Sequence, residues 1–172
     1  GNRLKWTFSC WVKRSELGAS QNLLASYSSA STQDNIWFQS GDYLSYQLYN
    51  NGNTRAQYNT ARLFRDTNAW YHIVIVYDAA NSTAADRIIF YVNGERDTSG
   101  NMSTVPPTDR NSNINNTYQH NIGSSSGSNN FLNGSMSHVH FCDGYAYAPT
   151  VFGETDSTTG EWKITTNPSV TY

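Results

Sequence analysis

Charge is scarce in this sequence, and so are cysteine, proline and methionine. Asp, Glu, Lys and Arg make up only 14% of the 172 residues, and the net charge is -2. There is no basic footprint of the kind nucleic acid requires. No apolar run approaches the roughly 20 residues of a membrane-spanning helix, and no membrane insertion is expected. No stretch of useful length repeats its apolar residues at helical period. Glycoside hydrolysis needs two carboxylates facing each other across the sugar. Glu16, Glu95, Glu154 and Glu161 do not alternate along any one strand. No Gly-x-Ser-x-Gly sits at a strand-to-helix turn. We therefore expect a chain that is not an enzyme. The two cysteines, Cys10 and Cys142, have no metal-binding spacing. They read either as two buried thiols or as a disulfide joining the first and last strands. The chain opens on Gly1-Asn2-Arg3, without Met, and enters an apolar strand at once. It reads as a piece of a longer polypeptide, one open to oligomerisation, whose flanking parts contribute to function.

What is abundant is aromatic and small polar. There are 12 Tyr, 5 Trp and 7 Phe, among many Ser, Thr and Asn. This mix suits pleated sheets joined by turns. Trp6, Phe8, Cys10 and Val12 alternate on one strand face. Leu44, Tyr46 and Leu48 do so on another, with Tyr43, Gln47 and Tyr49 facing away. Period two at 6–12 and 43–49, and short apolar or β-prone runs bounded by turns elsewhere, predict strands at 6–12, 22–27, 36–39, 43–49, 55–58, 72–77, 88–92 and 137–142. Asn50-Asn51-Gly52-Asn53 predicts a hairpin, because Asn and Gly tolerate positive φ. The polar run 28–35 reads as a turn. The segments 72–77 and 88–92 are apolar on both faces, so each needs two covers: the facing sheet, and a long loop or a neighbouring chain. Residues 99–130 read as a long surface excursion with one short strand at 118–122. Phe8, Val74, Phe90 and Phe141 are expected to meet in one interior.

Several of these segments, in this order, resemble one family. Phe8-Ser-Cys-Trp-Val-Lys-Arg14, Trp70-Tyr-His-Ile-Val-Ile-Val-Tyr-Asp78 and Ile89-Phe-Tyr-Val-Asn-Gly94 look like successive strands of laminin-G-like domains. So do Ile122-Gly123, Phe131-Leu-Asn-Gly-Ser-Met136 and Val139-His-Phe141. The chain thus resembles the laminin-G-like, concanavalin A-like lectin/glucanase jelly rolls over residues 4–148. The resemblance implies an all-β, two-sheet antiparallel sandwich over 1–150, with 151–172 as a C-terminal extension that packs on it or leads onward. The segment Phe152 to Trp162 is similar to one that follows such domains in structural proteins of tailed bacteriophages. That likeness implies a virion-associated module of a tail or capsid fibre. Such a module would recognise a host-surface carbohydrate or cement neighbouring virion proteins. Two alternatives stay open: a carbohydrate-binding module of a secreted enzyme, or a calcium-dependent adhesion domain.

The candidate ligand-binding residues are Trp37, Tyr43 and Tyr49, aromatic rings on the face away from the core that can stack on sugars. No cofactor is called for, except that many relatives hold one calcium at a loop rim. Asp34, Asp42 and Asp78 are the weak candidates for it, with Asp86 beside them, and each also suits a turn-forming role. His138 and His140 share a strand face at a spacing that suits either a metal or plain polarity. His72, in the family's Trp-x-His motif, reads as structural and hydrogen-bonded near a sheet edge. Tyr145, Tyr147 and Phe152 are expected to anchor the C-terminal segment.

Overall fold

A computed structural model describes all residues, 1–172. Thirteen strands follow one another: β1 (Lys5–Arg14), β2 (Gln21–Ser29), β3 (Thr32–Phe38), β4 (Tyr43–Asn50), β5 (Asn53–Leu63), β6 (Tyr71–Asp78), β7 (Ile88–Val92), β8 (Glu95–Arg96), β9 (Asn101–Thr104), β10 (Gln119–Ile122), β11 (Gly134–Asp143), β12 (Gly153–Thr155) and β13 (Trp162–Ile164). They make a five-stranded sheet in the order β11-β1-β6-β7-β8, a six-stranded sheet in the order β10-β2-β3-β4-β5-β9, and the separate hairpin β12-β13. Every pairing is antiparallel. The only helices are two single 3-10 turns, and none is long and apolar enough to cross a membrane.

The alternation read in the sequence is what stacks the two large sheets. Trp6, Phe8, Cys10 and Val12 of β1 face Leu44, Tyr46 and Leu48 of β4 across one continuous core. Burying these faces is the main favourable term in folding. Trp6 lies at its centre, stacked on Tyr77 at 5.4 Å and edge-on to Tyr46 at 5.7 Å. Asn51 and Gly52, at φ 50° and 73°, turn β4 into β5 as their residue types predict.

Four sequence expectations need correction. Val74 is not in the core with Phe8 and Phe90; it faces the other side of its sheet, because Ile73, Ile75 and Tyr77 take the inward positions of β6. Phe141 does meet the core, 5.9 Å from Trp6, but is itself only partly buried. The predicted turn 28–35 is mostly strand, and β3 begins at Thr32; polarity misled here because Asp34 and Asn35 are buried with hydrogen-bond partners. The excursion 99–130 contains the extra strand β9 and dives inward at Ser112, Asn113 and Ile114, all fully buried. His72 lies on β6 in the middle of its sheet, not near an edge.

The cysteines are two buried free thiols. They sit on neighbouring strands but on opposite faces, Cys10 in the main core and Cys142 in a second cluster with Val74, Val76 and Phe152. That second cluster is the other cover that β6 and β7 needed. Residues after β11 fold back over the outer face of the five-stranded sheet, with Phe152 and Tyr147 packed there as expected. Thr7 Oγ1 donates to the Tyr145 carbonyl and accepts from the Tyr147 N–H.

Candidate functional site

The outer face of the six-stranded sheet carries the residues that alternate with the core set. On β3 these are Gln33, Asn35 and Trp37, beside Tyr49, Gln47 and Ser45 of β4 and Tyr27, Ala25 and Asn22 of β2. The 124–130 loop then folds over one side of this face. The Gly123 N–H donates to the Leu23 carbonyl, Leu132 N–H to the Gly123 carbonyl, and Asn22 N–H to the Asn130 carbonyl. Ser125 Oγ–H donates to Asn35 Oδ1 at 3.3 Å. Gly127 and Asn130 take left-handed backbone, φ 78° and 49°, which the tight return of this loop requires.

Sheet and loop enclose a groove of ≈ 260 Å³. Its floor is Gln33, Asn35, Trp37 and Gln47. Tyr27 and Ala30 close one side; Ser125, Ser126, Asn129 and Asn130 close the other. Gln33 Nε2 donates to the Ala30 carbonyl, Gln47 Nε2 to Thr54 Oγ1, and Asn22 Nδ2 to Asn35 Oδ1. These bonds orient the amides and leave the Gln33 and Gln47 Oε1 atoms, Asn35 Nδ2, the Tyr27 hydroxyl and the Asn129 and Asn130 side-chain amides without a partner in the chain. Beside the floor, the buried Trp37 Nε1 and Asn22 Oδ1 also have none. The unpaired groups that line the groove itself are the ones to which an outside partner has bonds to offer.

Beneath the floor, Asp34 faces the core. Its carboxylate accepts from Tyr46 Oη–H (3.0 Å), the Asn113 N–H (2.8 Å), Asn113 Nδ2 (2.8 Å) and the Ile114 N–H (3.3 Å). Burial pushes this carboxyl up to about 6, against the pull of these four donors. Asn113 Nδ2 also donates to the Tyr49 carbonyl. Asp34 therefore ties the 112–114 crossing to the back of the site.

Of the three predicted ligand residues, only Trp37 lines the groove. Tyr49 stands opposite Gln33, and Tyr43 lies at the far end of β4 opposite Leu63. The two tyrosines are six positions apart, about 20 Å along a strand, and do not share one sugar-sized patch. Tyr27, Gln33, Asn35, Gln47 and the 125–130 loop were missed. Outward alternation on β2 would have pointed to Tyr27; the loop's return over the sheet has no local signal.

Each calcium candidate already has a partner inside the chain, although Asp78 Oδ1 is buried without one. Asp34 is buried as described. Asp42 lies between Arg14 (3.1 Å) and Arg65 (3.2 Å), and Asp78 is paired with Lys5 and Asp86 with Arg96. Burial acts to raise the Asp42 carboxyl, but the Gly18 N–H, Arg65 and Arg14 outweigh it and hold it below the ordinary carboxylate range. No three His, Cys, Asp or Glu side chains gather as a metal site. His138 takes φ 47° in an irregular stretch of β11, bonded to Ser137 Oγ; His140 bonds the Tyr172 hydroxyl and lies against Phe152. Glu154 and Asp156 do come together, but around Lys163 on the exposed β12-β13 hairpin.

Three other clefts exist. The largest, ≈ 550 Å³, includes Arg96, Asp97 and Tyr58: Tyr58 Oη–H donates to the Asp97 carbonyl, Asp97 Oδ1 accepts from its own turn, Arg96 pairs with Asp86, and Asp97 Oδ2 is buried without a partner. One of ≈ 390 Å³ lies between Leu24, Ile122 and Phe141 on one side and Asn115, Asn116 and His120 on the other, and one of ≈ 290 Å³ lies among Trp11, Trp70 and Trp162. Of the four, the Trp37 groove brings the most neutral polar side chains together with aromatic rings.

Among solved structures the chain is similar to a native heptameric SAP-like pentraxin from Limulus polyphemus (14% identity, 84% of this chain and 66% of that one, TM-score 0.54). It is similar to domain 4 of AbnA, a GH43 extracellular arabinanase from Geobacillus stearothermophilus, in complex with arabinotriose (14%, 82% and 61%, TM-score 0.56). A third is the CBM40 of the Ruminococcus gnavus IT-sialidase bound to alpha2,3 sialyllactose (11%, 81% and 75%, TM-score 0.57). The chain spans less than two thirds of the length of the first two. At these identities the likeness is one of fold. No curated protein matches the sequence. The sequence profile of the concanavalin A-like lectin/glucanases superfamily matches residues 2–152, and the chain belongs to that superfamily.

Proposed function

We propose that this chain is a non-catalytic carbohydrate-recognising module and that its contact surface is the groove floored by Trp37. The observation that carries this reading is the pairing of the Trp37 and Tyr27 rings with unpaired amides on the same face. An indole or phenol offers a flat apolar surface to a sugar ring, and amides offer both donors and acceptors to its hydroxyls. Two structures of the same fold were solved with saccharides, arabinotriose and alpha2,3 sialyllactose, which supports the reading without deciding the ligand. Glycan-array binding by the wild type and by Trp37→Ala tests it. An aromatic anchor in a small site is worth about 2 kcal/mol, so the variant is expected to lose binding roughly thirtyfold, while Tyr43→Ala keeps it. Equal binding by wild type and Trp37→Ala rules the groove out.

For the biological setting we propose a virion protein of a tailed phage, with a host-surface saccharide as the partner. This rests on the likeness of Phe152 to Trp162 to the segment that follows such domains in those proteins. Antibody raised to the module is expected to decorate intact particles; its reaction with secreted soluble protein alone would favour a module of a secreted enzyme.

A further inference from the structure

Resting on the reading of the Trp37 groove as a sugar-contact surface, we infer that its ligand is an uncharged saccharide held without a metal ion. None of the side chains lining the groove carries a formal charge at neutral pH; they are amides, hydroxyls, two aromatic rings and an alanine. An acidic sugar brings a carboxylate that can only accept hydrogen bonds, and taking it out of water is costly unless a cation meets it. Here no guanidinium or ammonium lines the site. Arg55, on β5 one strand beyond Gln47, does not reach the lining.

The orientation of the amides points the same way. Because Gln33 directs its Nε2 to the Ala30 carbonyl, its Oε1, an acceptor, is left for a ligand; the Gln47 amide bonds the Thr54 hydroxyl, which meets either amide atom. A hydroxyl can donate to the Gln33 oxygen; a carboxylate is repelled by it. Asn35 Nδ2 and the Asn129 and Asn130 amides supply the matching donors. The chain's net charge of -2 adds no long-range attraction for anions. Calcium takes six to eight oxygens, with carboxylates prominent among them. The groove offers no carboxylate, and Asp34 and Asp42 are tied to Asn113 and Arg14 elsewhere.

The test is calorimetric titration of the whole chain with neutral oligosaccharides (arabino-, galacto-, gluco- and manno-) and with acidic ones (sialyllactose, oligogalacturonate), at low and high salt and with EDTA. We expect a neutral ligand to bind with an affinity that salt and EDTA leave unchanged, and Trp37→Ala and Gln47→Ala each to weaken it at least about tenfold. Preference for an acidic sugar, or loss of binding in EDTA, with Trp37→Ala still abolishing binding, overturns the ligand class and leaves the groove standing. Binding of none of these sugars, or binding that neither variant affects, removes the groove and this inference together. Asn129→Ala, on the loop, checks the same point in a variant that disturbs no strand.

Discussion

Arg14 is fully buried, and that decides what Asp42 does. The guanidinium stacks over Phe38 at 4.5 Å from the ring centre, donates to the Phe64 carbonyl, and pairs with the Asp42 carboxylate. Removing one partner of a buried ion pair strands the other, which costs about 3–5 kcal/mol. Asp42→Ala is therefore expected to lower the urea midpoint by a corresponding amount, whereas a calcium ligand on a rim would matter only when calcium is supplied. Asp34→Ala follows the same logic, leaving the Asn113 and Ile114 N–H groups and the Tyr46 hydroxyl unpaired. The thiols give a third residue-level test. Burial pushes the Cys142 thiol up to about 11 and the Cys10 thiol well above its ordinary value. Neither is expected to react with a disulfide reagent in the native protein, and both should react after unfolding. Labelling of one thiol in native buffer would contradict the closed packing of its face.

At the scale of elements, the β12-β13 hairpin acts as a clasp on the outer face of the five-stranded sheet. Trp162 Nε1–H donates to His72 Nδ1 at 2.9 Å, which fixes the neutral tautomer whose Nε2–H donates to Ser9 Oγ. Trp11 lies face to face with His72 at 5.0 Å between ring centres, and Trp162 stands beside the ring, near-parallel at 5.9 Å. Gly94 and Gly153 let the Trp162 ring close in, since a Cβ there would stand 2.5 and 2.6 Å from it. Gly153→Ala is thus expected to lift the clasp, read as a rise in Trp exposure by fluorescence quenching. Burial, with a smaller push from His140, lowers the His72 pKa to about 4. An unfolded histidine takes its proton near 6.5. Between these values only the unfolded chain is protonated, so the His72 contribution to stability is full above pH 6.5. It falls as pH drops toward 4, by at most about 3 kcal/mol. Asp34, raised to about 6, has the opposite sign over much of the same window. The clean readout is therefore the difference between wild type and His72→Gln at pH 7 and pH 5; an equal difference at both would remove His72 as the source.

At the scale of the whole molecule, the fold was legible because its strands announce themselves by alternation: Trp6 to Val12 and Tyr43 to Tyr49 place one face each, and a two-sheet sandwich is the arrangement that buries such faces together. Less legible was anything held by polar contacts. Ser112 and Asn113 look like loop residues, yet Trp6 Nε1 donates to Ser112 Oγ and Asp34 binds Asn113. The same blindness hid most of the groove, since Asn129 and Asn130 arrive there through the backbone of a distant loop. The sequence did show that β6 and β7 needed a second cover without showing which segment supplied it. That cover bears on where the folding unit ends. The superfamily match stops at residue 152, but Trp162 is bonded to His72 beyond that limit. A chain ending at Phe152 keeps both large sheets and the Phe152 contact with Val74 and Val76, so its far-UV spectrum is expected to remain that of a β protein. It loses the indole over His72, leaving that ring open to water and free to accept a proton at ordinary pH. Its melting temperature should fall by several degrees at pH 7 and by less at pH 5, where the truncated native state takes up the His72 proton that the whole chain's native state refuses. If truncation at Phe152 changes neither the melting point nor the pH dependence, the clasp contributes nothing and residues 153–172 are an appendage.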